Sequence, residues 1–165
     1  MTTEKIDFTF LEDQWLCELL HDYWLQAQKA YDAEAYLGTI VACGAIVEGL
    51  LTWALQLPQN KAAAEKSKYA CKDEDKVTKV KTVKPFEKWD ITNLIKVSEE
   101  MSLIGNKALI ASWAVKEFRN LIHPYNLLYL SARPNQGLAL SAKGAVMEIT
   151  RSLKGRLQRA SKNED

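Results

Sequence analysis

The chain has 165 residues, enough for one domain with a sizeable core, and its 47% hydrophobic and 26% charged residues are ordinary globular composition. Seven glycines and four prolines supply little turn chemistry, which argues against a many-stranded β protein and for helices joined by short connections. The net charge of +1 is far from that of a dedicated nucleic-acid binder, yet residues 1–60 sum to −7 and the other 105 to +8, so the second part can attract an anionic partner.

The start, Met1-Thr-Thr-Glu-Lys-Ile-Asp, has no basic region followed by an apolar one, so no secretion signal is expected. The first helix is predicted from about Phe8 to Tyr31, with Leu11, Trp15, Leu16, Leu19, Leu20, Tyr23, Ala27 and Tyr31 on its buried stripe. His21, beside Asp22, falls off that stripe and is expected in solvent. Asp32 is the predicted cap of a second helix that runs through Ile40, Ile46, Val47, Leu50, Leu51 and Ala54 to Leu57, where Pro58 stops it.

Between Glu34 and Lys61 the only charge is Glu48, and the run is about as long as a bilayer is thick. A carboxylate at its middle would be costly in lipid, and the amphipathic helices around it need a central partner. The expectation is therefore a buried bundle axis and no membrane span. Gly38, Gly44, Ala45 and Gly49 leave little bulk on it and let a neighbour approach closely.

Residues 59–88 hold nine lysines and five acids, and read as a charged, mobile connector with one short helix near Lys61–Ala70. A helix capped by Asp90 follows, with Leu94, Ile95, Val97 and Met101 inward and Gly105 ending it. Asn106 is the predicted cap of the next, whose Leu109, Ile110, Trp113, Ala114, Phe118, Leu121 and Ile122 carry it to His123 and Pro124. Tyr125–Gly137 is predicted as a loop. A last helix from about Ser141 to Ala160 buries Val146, Ile149, Leu153 and Leu157 and exposes Lys143, Arg151, Lys154, Arg156 and Arg159, ahead of a tail at about 161–165. The whole is a single all-α domain of four to five helices. Cys17, Cys43 and Cys71 are odd in number and form no C-x-x-C pair, so no metal site or other cofactor is expected, and a reduced, cytoplasmic setting fits them.

Chemistry concentrates in Phe118-Arg119-Asn120-Leu121-Ile122-His123-Pro124, which places one of two histidines four residues after the first arginine. In a continuing helix, i and i+4 share a face. A guanidinium beside an imidazole can hold a phosphate and move a proton near neutral pH. The Arg119-Asn120-x-x-His123 motif, with the lone Glu48 of an earlier apolar helix in Ala45-Ile-Val-Glu48-Gly49-Leu50-Leu51, resembles the HEPN superfamily of small helical bundle proteins. The likeness is to the subgroup ending in R-N-x-x-H-P, with three residues between arginine and histidine where active members have four to six.

That resemblance implies a helical bundle, often dimeric, of the kind found in bacterial toxins, defence systems and RNA-processing enzymes. It also implies metal-independent RNA cleavage by Arg119, Asn120 and His123, supported by Glu48, with RNA and a protein partner such as an antitoxin as associates. A homodimer would bring two histidines together for the paired acid and base roles that one cannot fill in a concerted step. The alternative is a non-catalytic dimerisation or partner-binding module. In it, Arg119 and His123 terminate a helix and Glu48 is paired with a basic group such as Arg119, because an unpaired buried carboxylate is costly.

Overall fold

A computed structural model describes residues 5–123 and 133–161. Six α-helices are present among them: α1 (Gln14–Asp32), α2 (Tyr36–Gln56), α3 (Pro58–Lys66), α4 (Ile91–Glu100), α5 (Asn106–Arg119) and α6 (Gln136–Ser161). A two-stranded antiparallel hairpin, β1 (Lys72–Glu74) and β2 (Lys81–Val83), lies between α3 and α4, with Lys72 opposite Val83. The domain is an all-α bundle with one small appended hairpin.

Its axis is α2. Ile40, Cys43, Ile46, Val47, Leu50, Leu51 and Leu55 are completely buried, and α1, α4, α5 and α6 all pack against this helix. By length and composition α2 could cross a membrane, but half of its apolar window is enclosed by the bundle. The small residues work as expected. A Cβ on Gly38 would touch Ala30 at 3.4 Å, and one on Gly49 would press on Leu20 at 3.1 Å, so α1 lies close along α2. The Thr39 hydroxyl donates to the Ala27 carbonyl and ties the same pair of helices together.

Several local expectations are corrected. The first helix begins at Gln14, because the Asp13 carboxylate accepts from the Leu16 N–H at 3.0 Å and caps it there; Phe8 and Leu11 are buried from the non-helical segment before it. Asp32 ends α1 and does not cap α2, whose N-cap is Ala35. Trp15 is 70% exposed, since it stands about 100° around α1 from Leu16, which packs against the core. Ile110 is equally exposed on α5. Gly105 caps α5, and Asn106 is its first residue. Asp90 does cap α4, accepting from the Asn93 N–H at 2.8 Å.

The charged segment is more structured than expected. Pro58 starts α3 at the position where a missing N–H costs nothing, and Ala64, Ala70 and Phe86 from this segment, with Trp89 just after it, enter the core. The Asp75 carboxylate accepts from the N–H groups of Val77 and Thr78 and from the Thr78 hydroxyl, which closes the hairpin turn and lowers the Asp75 pKa.

The last helix starts earlier than expected, at Gln136, so Gln136 and Gly137 are helical; residues 125–132 of the predicted loop lie outside the described residues. Lys143, expected in solvent, is only 9% exposed, with its ammonium 4.8 Å from the Tyr31 ring centroid and 5.6 Å from that of Trp24. The long lysine stem fills core space while the charge rests on two aromatic faces.

Candidate functional site

Arg119 is the last residue of α5, and its position follows from α2. The aliphatic stem lies over Gly44, where an added Cβ would meet the arginine Cδ at 3.4 Å and its Cγ at 3.8 Å. One turn further along α2, Glu48 Oε1 accepts a hydrogen bond from Arg119 Nη1. Gly44 and Glu48 are four apart on one helix face, so the glycine seats the stem and the carboxylate receives the head. The pairing foreseen between Glu48 and Arg119 is thus present, but not in a sealed interior: the arginine side chain is 37% exposed and the glutamate 27%.

Asn120 leaves the α-helix and opens a 3-10 turn, Asn120–Ile122. Its backbone N–H bonds back into the last turn of α5, and its side-chain amide donates to Glu117 Oε2 at 3.4 Å. Glu117 also takes the Lys116 ammonium at 2.7 Å, and that bond above all holds its carboxyl below the usual range.

His123 is exposed and stands beyond the 3-10 turn, with φ −88° and ψ 115°. Its N–H donates to the Asn120 carbonyl at 3.2 Å. The shared helical face expected of Arg119 and His123 is therefore lost. Two causes act together: the 3-10 turn winds three residues per turn in place of 3.6, and Pro124 pushes the residue before it into extended backbone. The sequence pattern read a helix as far as the histidine, whereas the α-helix ends at the arginine.

His21 belongs to neither solvent nor this site. Its Nδ1 is 2.9 Å from the Cys17 carbonyl and its Nε2 is 3.3 Å from the Ile6 carbonyl, and the ring meets Phe8 edge-on at 5.1 Å. It pins the N-terminal segment to α1. Trp113 packs on the core with Lys116 over its ring, as a structural tryptophan does.

What the arrangement offers chemically is an arginine already engaged by a carboxylate and, four residues on, an exposed imidazole carried by the backbone beyond the 3-10 turn. Among the described residues no group of three histidine, cysteine or acidic side chains could hold a metal ion. Cys43 is an unpromising nucleophile, because burial pushes its thiol up to about 12. Sequence reasoning noted Gly44 for close packing without seeing that it seats Arg119; only the α2–α5 crossing makes that visible. No known family, curated protein or solved structure matches the chain.

Proposed function

We propose that this chain is a HEPN-like, non-catalytic interaction module that works as a homodimer and keeps Arg119 for its fold. The observation that carries this reading is the Glu48–Arg119 pair. A carboxylate on the guanidinium neutralises the charge that a phosphate would need and opposes the approach of an anion. The end of α5 is then a clamp on α2 at Gly44. Leu37 and Val41, both exposed, lie on the α2 stripe that leads to Glu48, and this apolar surface beside the clamp supports association through the same face.

The second reading, a metal-independent endoribonuclease, draws on the exposure of His123 and the partial exposure of Arg119. RNA arriving from solvent would have to displace Glu48 from the guanidinium. One assay separates the two: chelator-treated protein on mixed single-stranded RNA, with the products examined for a 2′,3′-cyclic phosphate. The expected result is no cleavage, a melting temperature unchanged in His123→Ala, and a loss of about 1–2 kcal/mol in Arg119→Ala for this partly exposed pair. Cleavage by wild type that disappears in His123→Ala would overturn the proposal and establish the nuclease. Light scattering at micromolar concentration tests the dimer, and a monomer there removes that part of it.

A further inference from the structure

At the other end of α5, about 20 Å from Arg119 along a 14-residue helix, two cavities adjoin. The first, about 340 Å³, lies between the turn joining α4 to α5 and the C-terminal half of α6, and is lined by Arg156, Arg159, Ser152, Asn106 and Glu99 among others. The second, about 120 Å³, is walled mainly by Trp53, Ala54, Leu57, Leu153 and Leu157, with the neutral amides of Gln59 and Asn60 also in its lining. Leu103 and Arg156 line both, so the Arg156 side chain borders each of the two spaces.

Their chemistry is complementary. Arg156 is held by one hydrogen bond from Nη1 to the Ser102 carbonyl, and Arg159 by one from Nε to the Gly155 carbonyl at 3.1 Å. Both arginines are exposed, each bond uses one of a guanidinium's five donors, and three residues on a helix place the two side chains on neighbouring positions. Glu99 is the one acidic group of the polar cavity and cannot neutralise both arginines, so that space keeps a positive balance. Arg156 is the one charged group of the apolar cavity, whose size is close to that of a void admitting a benzene ring.

The geometry points to a binding site for a small amphipathic anion, with a ring or short aliphatic body among Trp53, Leu153 and Leu157 and a phosphate or carboxylate on Arg156 and Arg159. Ser152 is already engaged, since its hydroxyl accepts from the Gly105 N–H at 2.9 Å; it fixes the α4–α5 turn against α6 and so holds the polar cavity in shape. The site shares no residue with the Glu48–Arg119 pair and does not depend on the function proposed above.

The test uses phenyl phosphate as probe, followed by the indole N–H resonance of Trp53, which is assigned by its disappearance in Trp53→Phe. Phenylacetate reports whether the head group is better a carboxylate or a phosphate, while inorganic phosphate and benzyl alcohol supply each half alone. Saturable binding of phenyl phosphate or phenylacetate is expected, with each half at least about tenfold weaker. Arg159→Gln should weaken binding by about tenfold, Leu153→Trp should block it by filling the apolar cavity, and Glu99→Gln should strengthen it by removing the opposing charge. Arg156→Gln also loses its tie to Ser102; Arg159, whose bond stays within its own helix, gives the cleaner variant. Inorganic phosphate binding as tightly as phenyl phosphate, an unchanged affinity in Arg159→Gln, or no saturable response of Trp53 to either probe would overturn the proposal.

Discussion

Lys143 shows how one side chain can reverse the reading of its position. Its ammonium lies against Tyr31 and Trp24 of α1 while the residue is almost wholly enclosed, although its place in the sequence is that of a solvated lysine on an amphipathic helix. Periodicity registers the charged head and takes no account of a four-carbon stem able to cross core space. Because ring faces are electron-rich, Lys143→Glu should be strongly destabilising, by roughly 3 kcal/mol or more and a melting temperature lower by about 6–12 °C. Lys143→Met, which keeps the stem volume, should cost only about 1 kcal/mol. Thermal unfolding of both variants checks this, and equal losses would mean that the rings do not read the sign of the charge. Arg119 is the contrasting case: its partner Glu48 was legible because a lone carboxylate on an otherwise apolar helix demands a cation. His123 was misplaced, since the change from α to 3-10 winding after Arg119 leaves no mark in the spacing of apolar residues.

At the scale of elements, legibility followed burial. The second helix was plain because a run almost without charge has few places to go other than the centre, and α4 was plain because Asp90 caps an amphipathic stripe. The hairpin was missed. Both strands are three residues long and exposed throughout, so they carry no alternation, and the signal that existed was the Asp75-x-x-Thr78 turn with its side-chain bonds to the backbone. The α1–α2 and α2–α5 crossings offer a paired prediction from two glycines of one helix. Alanine at Gly44 would bring its Cβ to 3.4 Å from the far part of a flexible arginine, whereas alanine at Gly49 would press at 3.1 Å on Leu20, which is wedged between helices. Replacing a helical glycine gains about 0.8–1 kcal/mol of propensity in either place. Gly44→Ala should keep most of that gain and melt higher than wild type, while Gly49→Ala should lose it to overpacking. A Gly49→Ala protein more stable than Gly44→Ala would show that α1 yields more easily than its packing implies.

Over the whole molecule the division of charge acquires a structural meaning. The acidic first part and the basic remainder are joined where Asp7, in the segment before α1, accepts from the Lys154 ammonium on α6, so chain start and last helix are fastened by opposite charges 147 residues apart. His21 binds the same segment from α1 through the Ile6 carbonyl, and Phe8 anchors it in the core. The Lys154 bond, with help from the Thr9 side chain and N–H, holds the Asp7 carboxyl far below the ordinary carboxylate range. The sign of the resulting pH dependence follows directly. A carboxyl whose pKa is lower in the folded state than in the unfolded one adds stability that is complete above its unfolded value, near 3.8, and fades as pH falls from there toward the folded value. Asp7→Asn should therefore melt below wild type at neutral pH by a few degrees at most, because both partners are substantially solvent-exposed. That gap should narrow as pH is lowered from about 4 toward 2, and narrow also with added salt at neutral pH. Melting curves of the two proteins across that range decide the matter: a gap that stays constant with pH would mean that Asp7 holds the segment through hydrogen-bond geometry that asparagine reproduces poorly, and that its charge contributes nothing to joining the two ends of the chain.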